Sequence, residues 1–224
     1  MMAEQLAFDL PIVTAFGRDD FFVSAANSEA VAAIENWRLW PLNKLVLAGP
    51  AGAGKSHLSQ IWAGMLDIDV FRAQDDWDIE DIDGAACVED LQDIAGNRAI
   101  EEKLFHLHNL QAQKGMPFLM TGRGVPRDWN IALPDLASRI MGSHLVQLGA
   151  PDDTLLAAVL LKQLADRQVQ IEPGVVDYIL RRAERSFARM RVLVVLLDQK
   201  SLQLKKPVGQ RMVRDVIALM EDGS

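Results

Sequence analysis

Hydrophobic residues gather in short blocks over the first two thirds of the chain and at helical spacing over the last third. Leu45-Val46-Leu47-Ala48 is the uninterrupted apolar run of a strand buried on both faces. Ile68-Asp69-Val70-Phe71, Ala85-Ala86-Cys87-Val88 and Met116–Met120 read as further strands, and Leu145-Val146-Gln147-Leu148 as a fifth. Helical spacing lies between them. Asn27–Trp37 places Val31 and Ile34 on one side and is ended by Pro41, and Lys55–Leu66 is a second helix. Asn97–Gln113 sets Ile100, Leu104, Leu107 and Leu110 or Gln111 on one face, and Gly115 stops it. This alternation predicts an α/β domain, a parallel sheet with helices on both faces. After Pro151 the strands stop. Asp152 or Asp153 caps a helix through Asp166, and Pro173 opens another through about Glu184. A third helix carries Met190, Leu193, Val194 and Leu197, and a fourth runs from Val208 to Met220. The expected plan is a flexible tail over residues 1–20, an α/β domain over 21–150 and a small all-helical domain over 151–224.

Composition narrows the class. The chain has 224 residues, 50% of them hydrophobic, enough for one core plus a small satellite. No apolar run approaches the ~20 residues of a membrane helix, and Met1–Pro11 lacks the basic start of a signal peptide. The single cysteine, Cys87, excludes an internal disulfide and a cysteine-rich metal site, and a reducing cytoplasmic setting fits best. His106 and His108 are not spaced to share a helix face as metal ligands. A net charge of −8 argues against a protein that coats DNA over its whole surface. The charge is uneven, however. Acids dominate Asp67–Asp93, with Arg72 the only base, whereas from Arg181 onward bases dominate, Arg211 and Arg214 among them.

The chemistry lies in Gly49-Pro50-Ala51-Gly52-Ala53-Gly54-Lys55-Ser56, which satisfies G-x-x-x-x-G-K-[ST] between an expected strand and an expected helix. Gly49, Gly52 and Gly54 let a loop turn its amides onto phosphate oxygens, and the helix beginning at Lys55 adds its positive end. Lys55 is expected at the β- and γ-phosphates of ADP or ATP, and the Ser56 hydroxyl on Mg²⁺. Downstream, Ala85–Val88 ends in Glu89-Asp90: one acid would orient the metal's water shell and the other polarise an attacking water.

These segments together carry a resemblance. Leu45–Leu58, Ala85–Ile94 and Leu133–Ile140 resemble the AAA+ ATPases of the DnaA group, with Gly54-Lys55-Ser56-His57-Leu58 similar to that group's Gly-Lys-Thr-His-Leu. Phe22-Val23 with Asn27 and Ala30 resembles its adenine-side signature. The resemblance implies an AAA+ fold with a helical lid, an arginine finger at Arg139 within Leu133-Pro134-Asp135-Leu136-Ala137-Ser138-Arg139, sensor I at Thr121 after the fourth strand, and sensor II at Arg191. It also places Asn27 and His57 in the nucleotide-binding region. DnaA itself continues into a helix-turn-helix domain, whereas this sequence stops at Ser224. Its start, Gln5-Leu6-Ala7-Phe8-Asp9-Leu10-Pro11, is similar to peptides that plug the groove of the DNA polymerase III sliding clamp, with Gln5, Leu6, Phe8 and Leu10 as anchors. The combination is similar to the Hda-type DnaA paralogues, regulatory inactivators of DnaA. It implies DnaA and the clamp as partners, indirect contact with DNA, no membrane, and allows a homo-oligomer. One departure is chemical: Glu89 stands where the DnaA group usually has aspartate and reaches one methylene further.

Overall fold

A computed structural model of the chain describes residues 22–222. Two compact units emerge, one spanning Asn27–Gly149 and one comprising the chain from Ala150 onward. In the first, five strands form one parallel sheet: β1 (Lys44–Gly49), β2 (Phe71–Arg72), β3 (Ala86–Glu89), β4 (Phe118–Arg123) and β5 (His144–Gln147), in the order β2-β3-β4-β1-β5. Parallel strands need crossovers, and the helices supply them. These are α2 (Lys55–Leu66), α3 (Arg98–Lys114) and α4 (Pro134–Met141), whereas α1 (Ser28–Glu35) precedes β1.

Strand alternation sorts the core into two layers. Val46, Ala48, Val88, Phe118 and Met120 pack with Leu104 and Leu107 of α3 and Leu136 and Ile140 of α4. Leu45, Leu47, Cys87 and Leu119 are equally buried and take the opposite face, where α2 lies across β1, β3 and β4. There Trp62 stacks on Trp40 with ring centroids 5.1 Å apart, and the Trp40 indole N–H donates to Ala33 O at 2.7 Å. Trp77 and Trp129 are also buried, and Trp37 is half-buried with Arg38 4.2 Å from its ring. Gly122 of β4 is dictated by packing: a Cβ there would lie 2.3 Å from the Trp129 ring, whose indole N–H donates to Arg123 O at 2.6 Å.

The helical unit packs α5 (Asp153–Asp166), α6 (Val175–Arg182), α7 (Phe187–Leu204) and α8 (Gln210–Asp222) around Leu156, Leu160, Ile179, Met190, Leu193, Val194, Leu197 and Val213. The Asp152 carboxylate caps α5 by accepting from Leu155 N–H at 2.8 Å, and the Ser186 hydroxyl accepts from Arg189 N–H at the start of α7. Among the described residues no helix is long and apolar enough to cross a membrane.

Several sequence expectations are corrected. The strand expected at Ile68–Phe71 is only Phe71–Arg72. Asp67, in the left-handed region, ends α2, and Ile68 N–H still bonds back to Ala63 O, so Ile68 belongs to the helix cap. The fourth strand begins at Phe118, two residues later than expected, because Met116 N–H is still bonded to Gln111 O at the end of α3. It continues through Arg123, so Thr121 stands inside the strand rather than after it. The first helix ends at Glu35, well before Pro41, which instead opens a short 3₁₀ turn. The helix expected from Pro173 starts at Val175, after Gly174 at φ 77°. On α3 the buried face takes Gln111, the second of the two expected alternatives, and adds Glu101 and His108, which were not expected there.

Candidate nucleotide-binding site

The interior strand β1, flanked by β4 and β5, delivers the glycine-rich loop to the C-terminal edge of the sheet at the point where strand order reverses. A Cβ on Gly49 would lie 2.6 Å from Leu148 O, so a side chain is excluded as the chain leaves the strand. Gly52 and Gly54 have φ of 70° and 98°, left-handed values that cost little only for glycine, and they turn the loop into α2. Lys55 is buried, and its ammonium folds back over the loop, donating to Gly49 O at 2.9 Å and Pro50 O at 2.8 Å. Burial pushes its pKa below the usual lysine value; Asp90 and Glu89 oppose that effect and Arg123 adds to it. Ser56 and His57 are exposed on the first turn of α2.

β3 ends at Glu89 and Asp90. Glu89 is 5% exposed, and burial pushes its carboxyl above the usual range, opposed first by the hydroxyls of Ser59 and Ser56. Its Oε1 is buried with no hydrogen-bond partner in the protein. Asp90 adopts the left-handed region, φ 59° and ψ 44°, and accepts from Gln92 Nε2 at 3.5 Å. A non-glycine residue there is strained, and such strain concentrates at functional sites. Thr121, 1% exposed, pairs in register with Leu47, one step past the Val88–Met120 pair. The Ser56 hydroxyl beside the Glu89 carboxyl, whose Oε1 is buried and unpartnered, makes a hard-oxygen donor set that fits Mg²⁺.

Arg123, which sequence reasoning did not single out, is also in this site. It closes β4 opposite Gly49, its guanidinium donates to Asp93 Oδ1 at 2.5 Å, and its backbone N–H donates to Gln92 Oε1 at 2.7 Å. A strand-end arginine across from the loop's first glycine was the available signal. Asn27 is buried at the start of α1, and Ala30 beside it is 1% exposed. Arg191 is exposed on α7 of the helical unit. The tail residues Gln5, Leu6, Phe8 and Leu10 lie outside the described residues.

Arg139 occupies a different place from the loop. It is exposed in the last turn of α4, five residues before β5 begins beside Leu45. Its charge acts on Lys44, the first residue of β1, and on His108. It therefore stands at the N-terminal edge of the sheet, whereas the glycine loop leaves the C-terminal edge. A six-residue strand separates these edges by roughly 16 Å. The start of α4 is fixed by Glu101, fully buried, whose carboxylate accepts from Gly96 N–H at 2.9 Å, Ala132 N–H at 3.0 Å and Leu133 N–H at 2.6 Å. This residue also escaped the sequence reading.

No protein-family model matches the chain. Its fold is similar to domain III of the Thermotoga maritima replication initiation protein DnaA, with a TM-score of 0.77 and 18% identity over 93% of this chain and 97% of that one. A replication initiator DnaA bound to AMPPCP and single-stranded DNA matches with a TM-score of 0.70 and 16% identity, covering 84% of this chain and 66% of that chain. The Thermotoga maritima RuvB Holliday junction branch migration motor matches at 0.67 and 18%, covering 87% and 68%. The chain thus has the α/β fold of DnaA domain III, as the sequence led us to expect, and a helical C-terminal part agrees with it.

Proposed function

We propose that the chain binds ADP or ATP with Mg²⁺ in its glycine loop and serves as a cytoplasmic, DnaA-related regulator of replication initiation. In this reading Gln5, Leu6, Phe8 and Leu10 tether it to the sliding clamp on DNA, and Arg139 is presented to ATP held by DnaA. The observation that carries the reading is the position of Arg139, exposed at the sheet edge away from the chain's own loop. A guanidinium there is out of reach of its own nucleotide but free to approach another subunit's.

In the chain's own site, Lys55 and the loop amides of Gly52 and Gly54 would bind and orient the phosphates. Ser56 and Glu89 would hold Mg²⁺, which when bound neutralises phosphate charge. Glu89 and Asp90 would hold water near it, Asn27 and His57 would line the nucleotide, and Thr121 and Arg191 would respond to its state. Against the partner's nucleotide, the planar fork of Arg139 would stabilise charge developing on the transferring phosphoryl, an effect worth about 10³–10⁵ in rate where such fingers act. The direct test is hydrolysis of DnaA-bound ATP with clamp-loaded DNA, with and without this protein; no acceleration would refute the proposal. A peptide of residues 1–14 should bind the clamp with roughly micromolar affinity, since it must be ordered on binding, and alanines at Leu6 and Phe8 should remove that binding. The complete set Lys55, Ser56, Glu89 and Asp90 also favours a second reading, a stand-alone ATPase of the helicase-loader type. Rapid ATP turnover by the chain alone would select it.

A further inference from the structure

An open groove of about 400 Å³ in the helical unit is lined by Tyr178 of α6 and Gln210, Arg211 and Arg214 of α8. The Arg182 guanidinium lies 5.7 Å from the centre of the Tyr178 ring. Most other arginines of this unit are engaged with acids: Arg185 with Asp153 at 3.0 Å, Arg189 with Glu184 at 3.1 Å, Arg167 with Asp198 at 3.5 Å. The groove differs. Arg211 and Arg182 form no ion pair with the described residues, and Arg214 meets only Asp215 at 3.5 Å, an exposed contact that a better anion can displace. Arg211 and Arg214 are three apart on α8 and share a face, about 5–6 Å apart at Cβ. On a chain of net charge −8, this is a local reversal of sign.

We propose that this groove binds the sugar-phosphate backbone of a nucleic acid directly. Two forked guanidinium groups on one helix face can each take two oxygens of neighbouring phosphates. The Gln210 amide adds a donor, and the Tyr178 ring offers a flat apolar surface to a sugar or base. An acidic peptide would use the arginines but would leave the ring without a role. The groove belongs to the helical unit and the glycine loop to the α/β unit, and its contact with nucleic acid does not pass through a clamp.

The full chain, saturated with ADP so that its loop does not compete for phosphate, is titrated with a labelled single-stranded oligonucleotide and with the duplex of the same sequence across a salt series. Binding is expected at low salt. Arg211→Gln/Arg214→Gln should weaken it at least ~10-fold and flatten the slope of log K against log salt by ~1.4 on the single strand or ~1.8 on the duplex, two phosphate contacts being lost. Whichever form shows this change is the bound form. Arg98→Gln, an exposed charge on α3 paired with Glu102, should bind like the unmodified chain. Both groove positions are exposed, so melting temperature should be unchanged in the variant. Unaltered affinity and slope in the double variant would overturn the proposal. So would polyglutamate binding as tightly as the oligonucleotide, which would make the groove a surface for an acidic protein.

Discussion

At the C-terminal edge of the sheet the Lys55 ammonium is buried, bonded to two carbonyls of its own loop and close enough to Asp90 and Glu89 to feel their charge. At the N-terminal edge the Arg139 guanidinium is exposed, with cationic Lys44 and neutral His108 as its electrostatic neighbours. One edge encloses its cation in a cradle of glycine turns, and the other holds its cation outward on a rigid helix. The contrast separates what the chain can do to a ligand of its own from what it can offer a neighbour. A loop of left-handed glycines can turn its amides onto a phosphate, which is the role proposed for this one. An arginine in the last turn of a helix, repelled by a buried lysine, gains most when an anion arrives from outside.

The largest expected effect tests the inner edge. Lys55→Ala should reduce nucleotide affinity by about 100-fold or more, because backbone amides cannot replace an ammonium on the β- and γ-phosphates. Calorimetry reads this directly, and unchanged affinity would remove the inner half of the contrast.

Next comes the strut between the two edges. Glu101→Ala leaves the amides of Gly96, Ala132 and Leu133 without their acceptor and should cost roughly 3 kcal/mol. Glu101→Gln, which keeps one acceptor oxygen, should cost about half as much. A denaturant midpoint unmoved by the alanine would show that α4 is positioned by its apolar face alone.

A smaller effect appears with pH. His108 is buried, neither ring nitrogen has a hydrogen-bond partner, and burial, with Lys44 and Arg139 adding to it, lowers its pKa to about 4. As pH falls from about 6.5 to about 4 the unfolded chain takes up a proton that the folded chain refuses, so stability falls across that window, by up to roughly 3 kcal/mol. Above 6.5 the residue contributes no slope. His108→Leu should flatten this part of the stability–pH curve, and an unaltered slope would show that His108 gains a partner in solution.

The two edges were not equally legible in the sequence. The helix Lys55–Leu66 was placed to the residue because glycine, lysine and serine fix its start and a left-handed Asp67 its end. The apolar runs of β1 and β3 were equally plain, since central strands have few alternatives. The strand at Ile68–Phe71 failed because alternating apolar residues can also close a helix. Glu101 and His108 were hidden by their chemistry: charged and polar side chains on a helix read as solvated, and only the fold brings loop amides to Glu101. Arg123 was missed because the strand's true end lay beyond its apolar run. Arg139 could be named from resemblance, but its exposure at the far edge follows from parallel topology.

The most direct test is therefore hydrolysis of DnaA-bound ATP in the presence of clamp-loaded DNA, measured with Arg139→Ala and Arg139→Lys beside the unmodified protein. The alanine variant should keep its melting temperature, its nucleotide affinity and its clamp binding, yet give no acceleration. The lysine variant should restore little, because it lacks the planar fork that engages two oxygens at once. Full acceleration by a well-folded Arg139→Ala protein would contradict the assignment of the outer edge to another subunit's nucleotide.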